Sequence, residues 1–499
     1  MGRQDQIINE RLRKLKELRE QGINPYPHSF DKKDSTLELQ EKYKKLKNEE
    51  KAKYSAKIAG RLTGLRDLGK ISFGVLQDEA GKIQIVSQEP ETPKKTVELL
   101  KKYVDVGDFI GVEGTIFRTK RGELSILAKK IEILSKSISP LPEKWHGLQD
   151  KEERYRKRYL DLIMSPEVKL VFEKRAKIID IIRNYLKEKK FLEVETPALQ
   201  SIYGGASAQP FKTHLNALDI DLFLSISPEL YLKRLIVGGY EKVFTICKNF
   251  RNEGIDRQHN PEFTMLEFYY AYQDYEKLIK MTEELLSKLV KEIVGSKKIE
   301  YQGKTLDFTT PFKRITFRDL VMKETGIDIN KIKDFRSLKE EIKNKNLKDV
   351  QINTCRHYGD LLDELYKRIC RPKLIQPTLL THYPVEMIAL AKRNEKDPAK
   401  INTFQLIIDG AEIVKAYDEL NDPIDQKKRF LEQQKLLQEG VAEAMPLDND
   451  FINALEVGMP PTAGYGLGVD RLTMLLTNQP SIRDVLLFPF MKPEENKKQ

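Results

Sequence analysis

Cysteine is scarce: three in 499 residues (Cys247, Cys355 and Cys370), none in a C-x-x-C pair. That excludes a disulfide framework and a thiolate metal cage. No apolar run approaches the roughly 20 residues of a membrane-spanning helix, so no membrane partner is expected. The opening MGRQDQIINERLRKLKELRE is charged throughout and lacks the apolar core of a secretory leader. These absences predict a cytoplasmic location. Internal repeats are also lacking. Charge is abundant: 87 Lys and Arg against 76 Asp and Glu give a net +11, which leaves room for a polyanionic partner such as nucleic acid. The length predicts two or three domains.

Residues 1–55 read as a helical extension. Ile8, Leu12, Leu15 and Leu18 recur at helical spacing among Lys and Arg. Such a helix either docks on its own protein or offers RNA a basic face. Residues 56–137 change character. KIAGRLTGLRDLGK, ISFGVLQDEAG and KIQIVSQE read as three strands, TPKKTVELLKKYV as a helix, and DFIGVEGTIFRTK and GELSILAKKIEIL as two more strands. Five strands with a helix between the third and fourth is the order of an OB-fold barrel, a binder of single-stranded nucleic acid. Gly64 to Lys70 fits G-x-x-x-x-G-K, but Ile71 replaces the required Ser or Thr and a strand follows, which excludes a phosphate loop. Residues 138–165 read as a linker with a basic cluster, 166–493 as a second domain with a charged insertion near 296–350, and 494–499 as a disordered tail.

Three stretches of the second domain suggest chemistry. KVFTICKNFRNE and EFTMLEFYYAY alternate as strands of a hairpin, with Phe244, Ile246, Leu266 and Phe268 on the core side. The opposite side presents Arg251, Glu253, Phe263, Glu267 and Tyr269, with His259 in the loop. An arginine can grip a phosphate through two parallel bonds, and an aromatic ring can stack on a base. Cross-strand ion pairing and core packing are the structural alternatives. In AGYGLGVDRLTMLL, Gly464, Gly466 and Gly468 share one strand face, a flat floor for a planar ligand or a site of close packing. Asp470 stands where a helix cap belongs, ahead of Arg471. In TFQLIIDGAEIVKAYDELND, Asp409-Gly410 turns a hairpin whose second strand carries Glu412 and Glu419, suited to Mg²⁺ beside a triphosphate or to surface salt bridges. Their odd spacing calls for a bulge if both face one site, most simply near Lys415 and Ala416.

FRNE…HNPEF resembles motif 2 of the class II aminoacyl-tRNA synthetases, GYGLGVDR resembles motif 3, and FLEVETP resembles motif 1, the dimer-forming element. GGASAQPF, SPELYLKRLIVGG, HNPEFTMLEFY, ELNDPIDQ and PPTAGYGLGVDR are most similar to the lysyl-tRNA synthetases. SFGVLQDEAGKIQI and TKRGELSI extend that similarity into the barrel. The resemblance implies an α+β multidomain protein, an OB-fold β-barrel followed by a catalytic domain on a mixed, mainly antiparallel sheet flanked by helices. It implies ATP-dependent attachment of L-lysine to the 3′ end of tRNA(Lys) through a lysyl-adenylate, with Mg²⁺ and a homodimer.

Residue by residue, the resemblance assigns catalysis to Arg251 and Arg471. Glu253, His259, Phe263 and Glu412 join them around ATP, with Phe263 and Arg471 sandwiching adenine. Gly205, Glu229, Arg251, Glu267, Tyr269, Lys415, Tyr417 and Glu419 would bind lysine, and Glu412 and Glu419 the metal. Phe73, Gln84 and Glu123 would read the anticodon. VKA at 414–416 departs from the family, which usually has asparagine at the position of Lys415. Ile388-Ala389 also departs, standing in place of Ser-Pro. A related synthetase for aspartate or asparagine, a non-catalytic tRNA-binding relative and an enzyme that lysylates protein are the rivals. The anionic residues Glu267 and Glu419, the filled ATP positions and the intact barrel argue against them in turn.

Overall fold

The computed structural model describes residues 2–142, 150–332 and 334–494. Residues 143–149 of the expected linker and 495–499 of the expected tail lie outside them. The chain divides into two compact units, 1–149 and 150–499.

In the first unit five strands close a barrel in the order β1-β2-β3-β5-β4: β1 (Lys51–Asp67), β2 (Ile71–Gln77), β3 (Lys82–Gln88), β4 (Phe109–Arg118) and β5 (Leu124–Ser135). The helix Lys94–Tyr103 lies between β3 and β4, as the spacing predicts. Alternation sends Ile58, Leu62, Leu76, Ile83, Ile85, Val112 and Ile126 inward. The strands begin at Lys51, ahead of the expected start near residue 56.

Phe73 lies opposite Val86, and Gln84 opposite Val75, so Phe73 and Gln84 are diagonal neighbours on the outer face. Glu123 precedes β5, whose Ser125 pairs with Gln84. These three residues therefore share one outer strip, which Arg66 flanks opposite Phe73. Phe73 is half-buried there and is not part of the interior.

The helix Arg3–Glu20 docks on this barrel, but not by its leucines alone. Leu15 and Leu18 are buried, whereas Leu12, expected on the same stripe, is exposed. Buried Arg11 takes its place, donating to the carbonyls of Val106, Ser137 and Ser139. Burying a guanidinium is tolerable only with such partners.

The second unit is built on an eight-stranded sheet. Its strands are β6 (Leu192–Glu193), β7 (Lys242–Phe250), β8 (Glu262–Ala271), β9 (Lys313–Thr316), β10 (Thr378–Thr381), β11 (Thr403–Ile408), β12 (Ala411–Asp418) and β13 (Thr462–Gly468). The order is β9-β10-β11-β12-β13-β8-β7-β6, parallel only at the two edge pairs. The helices Pro166–Glu188, Tyr275–Ile293 and Val469–Leu476 cover one face, against Phe244, Leu266, Phe268, Val414, Ala416, Tyr465 and Leu467. Phe268 and Tyr465 stack there with centroids 4.4 Å apart.

Two expectations change. The stretch near 296–350 is more than a surface insertion, because it supplies the edge strand β9. The basic cluster of the expected linker lies in two short helices, Lys151–Arg156 and Arg158–Met164. Arg158 is buried, bonded to Asp161 and to the carbonyls of Arg483, Leu486 and Leu487. Arg158 thus anchors the unit's own C-terminal segment.

Candidate active site

The opposite face of the sheet, covered in part by the helix Glu229–Val237 and the buried residues around it, has a polar centre because of register. Thr245, Glu267, Gly466, Lys415 and Gln405 form one row across β7, β8, β13, β12 and β11. The neighbouring row runs Val243, Tyr269, Gly464, Tyr417 and Thr403. At roughly 4.8 Å per strand, Glu267 and Lys415 flank Gly466 with about 10 Å between their Cα atoms. Every residue predicted for the nucleotide and the amino acid lines one cavity of about 440 Å³ above these rows.

One end is acidic. The helix Glu229–Val237 places Lys233 one turn beyond Glu229, and the Lys233 ammonium, fully buried, pairs with Glu229 at 2.6 Å and with Glu419. Burial opposes its charge, but the two carboxylates outweigh that and raise its pKa. Tyr417 donates to the second oxygen of Glu229 at 2.8 Å, and Ser227 donates to Glu267 at 3.0 Å. Oε1 of Glu419 is buried with no hydrogen-bond partner among the described residues. Burial, reinforced by the charge of Glu229, pushes the Glu267 carboxyl up to about 8. This end sets three carboxylates against the single ammonium of Lys233.

The other end is basic. The Arg251 guanidinium lies over the Phe263 ring, 5.0 Å from its centroid. Arg471 donates to the carbonyl of Glu412 and to Nε2 of His259, both at 3.0 Å. An arginine only donates, so the His259 proton sits on Nδ1, facing Asp256 at 2.8 Å. Lys415 has no carboxylate partner among the described residues. Three cations thus face the cavity without an ion pair.

A bulge does lie between Glu412 and Glu419, but at Ile413 and not near Lys415: Ile407 pairs with Glu412, and Leu406 with Val414. The irregularity falls where the register to β11 shifts, and pairing from Val414 to Asp418 is unbroken. It turns Glu412, Lys415, Tyr417 and Glu419 to one cavity. The assignment of one Mg²⁺ to both glutamates fails all the same. Their Cα atoms lie about 20 Å apart along the strand, more than two side chains and two bonds of about 2.1 Å can span. Glu419 is also held by Lys233.

Two further readings change. Asp470 does not cap its helix; the cap position is Gly468, which makes no side-chain bond. The Asp470 carboxylate instead accepts from the Thr264 N–H at 2.7 Å and pairs with Arg175 at 2.6 Å. Nor is the glycine strand a uniform floor. A Cβ on Gly464 would come within 3.0 Å of the Glu419 side chain, while Gly466 and Gly468 meet nothing closer than 3.4 Å.

Lys233, Ser227, Gln405 and Arg175 were not anticipated as site residues. Only Lys233 left a signal, its i,i+4 spacing from Glu229.

Residues 150–492 match the family described as tRNA synthetases class II (D, K and N), and residues 56–134 the OB-fold nucleic acid binding domain. The chain belongs to the class II tRNA synthetases. A lysine–tRNA ligase of Pelotomaculum thermopropionicum is 48% identical over 98% of this chain and 96% of its own. One of Thermotoga maritima is 46% identical over 97% and 96%. Lysine–tRNA ligase 2 of Methanosarcina mazei is 46% identical over 98% and 94%. In this synthetase the OB-fold barrel and the mixed, mainly antiparallel sheet expected from the sequence are both present.

Gly464→Ala should destabilise the second unit by about 1–3 kcal/mol, the usual cost of overpacking. Gly254→Ala meets nothing within 4 Å and should be neutral. Denaturant titration of both variants checks the contrast.

Proposed function

We propose that this synthetase is a lysine–tRNA ligase: it joins L-lysine to ATP as lysyl-adenylate and then transfers lysine to the 3′ end of tRNA(Lys). The observation that carries this reading is the acidic end of the cavity. Glu229, Glu267 and Glu419 outnumber Lys233, so an incoming ammonium finds carboxylates that lack a counter-charge. An aspartate side chain would meet like charge there, and an asparagine side chain would bring no positive charge to the carboxylates.

Glu267, Tyr269 and Glu419 receive the ε-ammonium, and Gly205 and Glu229 the α-amino group. Lys415, about 10 Å across the sheet from Glu267, takes the carboxylate with Arg251. Phe263 and Arg471 sandwich adenine, Glu253 accepts from its amino group, and His259 meets the terminal phosphate. Among the described residues no group of three His, Cys, Asp or Glu is placed to hold a metal. Mg²⁺ arriving on ATP needs only one or two carboxylates, and Glu412 fits that need. Bound there, the ion neutralises phosphate charge.

The lysine carboxylate attacks the α-phosphorus in line, Arg251 offsets the developing charge, and pyrophosphate leaves. The tRNA 3′-hydroxyl then attacks the adenylate carbonyl and AMP leaves. Positioning and electrostatics suffice, with no covalent nucleophile. Phe73, Gln84 and Glu123 read the anticodon on the barrel strip. The protein acts as a cytoplasmic homodimer; Leu170, Leu192 and Leu199, each about half exposed around the motif 1 stretch, support the pairing.

Amino-acid-dependent ATP–pyrophosphate exchange, one amino acid at a time, tests the assignment. Lysine should support exchange above all others, and better support by any other would overturn it. Lys415→Ala should raise the lysine KM about tenfold or more, the worth of one charged hydrogen bond, without changing which amino acid is activated.

The pH dependence has a definite sign. An ammonium beside Glu267 favours its ionised form, so binding below about pH 8 releases a proton. Lysine affinity should therefore rise with pH, by at most about tenfold per unit, and level off above pH 8. Glu267→Gln should flatten this profile, measured as lysine KM from pH 6 to 9. Phe73→Ala should weaken tRNA charging and leave lysine-dependent exchange intact; equal loss of both would make Phe73 a structural residue.

A further inference from the structure

Arg175 lies on the helix Pro166–Glu188, behind the sheet, and does not line the cavity. Its Nη2 pairs with Asp470 Oδ1 at 2.6 Å and donates to Thr264 Oγ1 at 3.0 Å. The Thr264 N–H donates to Asp470 Oδ2 at 2.7 Å. A closed ring of one ion pair and two hydrogen bonds thus joins one residue on each of three elements. Asp470 and Thr264 are buried, and the Arg175 side chain is 14% exposed.

What the ring ties together gives it a role. Thr264 directly follows Phe263, and Asp470 directly precedes Arg471. Those neighbours are the two faces of the adenine slot. Arg471 is braced on its far side by the Glu412 carbonyl and His259, so the ring supplies the remaining restraint. Asp470 also forgoes the helix-capping role for these bonds, and the helix Val469–Leu476 is pinned by its second residue.

We propose that Arg175 is a positioning residue for the nucleotide: by tying Thr264 to Asp470 it fixes the gap between the Phe263 ring and the Arg471 guanidinium, and so the width of the slot that accepts a planar base. This rests on the stacking of adenine proposed above. Arg175 touches no substrate. Its effect is confined to the base end, because the amino-acid end is held by the separate Glu229–Lys233–Glu419 network.

Pyrophosphate exchange with Arg175→Met tests it. The ATP KM should rise about tenfold or more, as for loss of a charged hydrogen bond, while the lysine KM stays within about twofold. Inhibition by tripolyphosphate, which has no base, should be unchanged. Arg175→Lys should restore part of the ATP KM, and Thr264→Val should move it the same way by less. If Arg175→Met does not fold, those two variants carry the same comparison. Equal changes in both KM values, or none in either, would overturn the proposal. Phe263→Ala separates it from the reading beneath it. An unchanged ATP KM in that variant removes the stacking reading itself, whereas a raised one beside a silent Arg175→Met removes only the clamp.

Discussion

The acidic end of this synthetase's cavity is organised around one buried ammonium. Lys233 is fully buried, which is costly unless carboxylates meet it. Glu229 meets it from one helical turn away, and Glu419 from the end of β12. Removing either partner of such a pair costs about 3–5 kcal/mol, so helix and strand are locked together. Tyr417, bonded to Glu229, is drawn into the same set. Burial and then the nearby charge of Glu229 push the Tyr269 and Tyr417 phenols well above their ordinary pKa, which keeps them donors. The network is thus both a fastening and the wall of a pocket with carboxylates to spare.

That pocket needs a sheet with two different faces, and β13 provides it. Ala463, Tyr465 and Leu467 join the core beneath the helices, while Gly464, Gly466 and Gly468 face the cavity. A side chain at Gly464 would enter the space that Glu419 already takes, and one at Gly466 would project into the cavity beside Met265 and Glu267. The flanking strands can then raise Glu267 and Tyr269 on one side and Lys415 and Tyr417 on the other.

Much of this was legible because periodicity reports faces. The hairpin of β7 and β8 and its division of Phe268 from Glu267 and Tyr269 follow from alternation, and the barrel from the succession of five strands with a helix after the third. What stayed hidden depended on contacts between distant segments. The Glu229–Lys233 spacing reads equally well as a solvated helix pair; only Glu419, far along the chain, buries it. Asp470 looks like a cap in the sequence because Arg175 and Thr264 are invisible there. The odd spacing of Glu412 and Glu419 gave the need for a bulge correctly but not its place. The same spacing, taken at the rise of a strand, already holds the two carboxylates too far apart for one ion.

The bulge also bears on how a substrate lies. Without it, strict alternation would turn Glu412 toward the helices whenever Lys415, Tyr417 and Glu419 face the cavity. With it, β12 presents a carboxylate, an ammonium, a phenol and a carboxylate in sequence along one side. Lys415 and Glu419 are four residues apart, about 13 Å in a strand, too far to neutralise each other. A ligand with a carboxylate at one end and an ammonium at the other therefore has one favourable direction along the strand. Its carboxylate would lie toward Lys415, Arg251 and Arg471, and its ammonium toward Glu419. Reversal would set carboxylate against carboxylate in a desolvated pocket, so one orientation of such a ligand is built into the order of charges on a single strand.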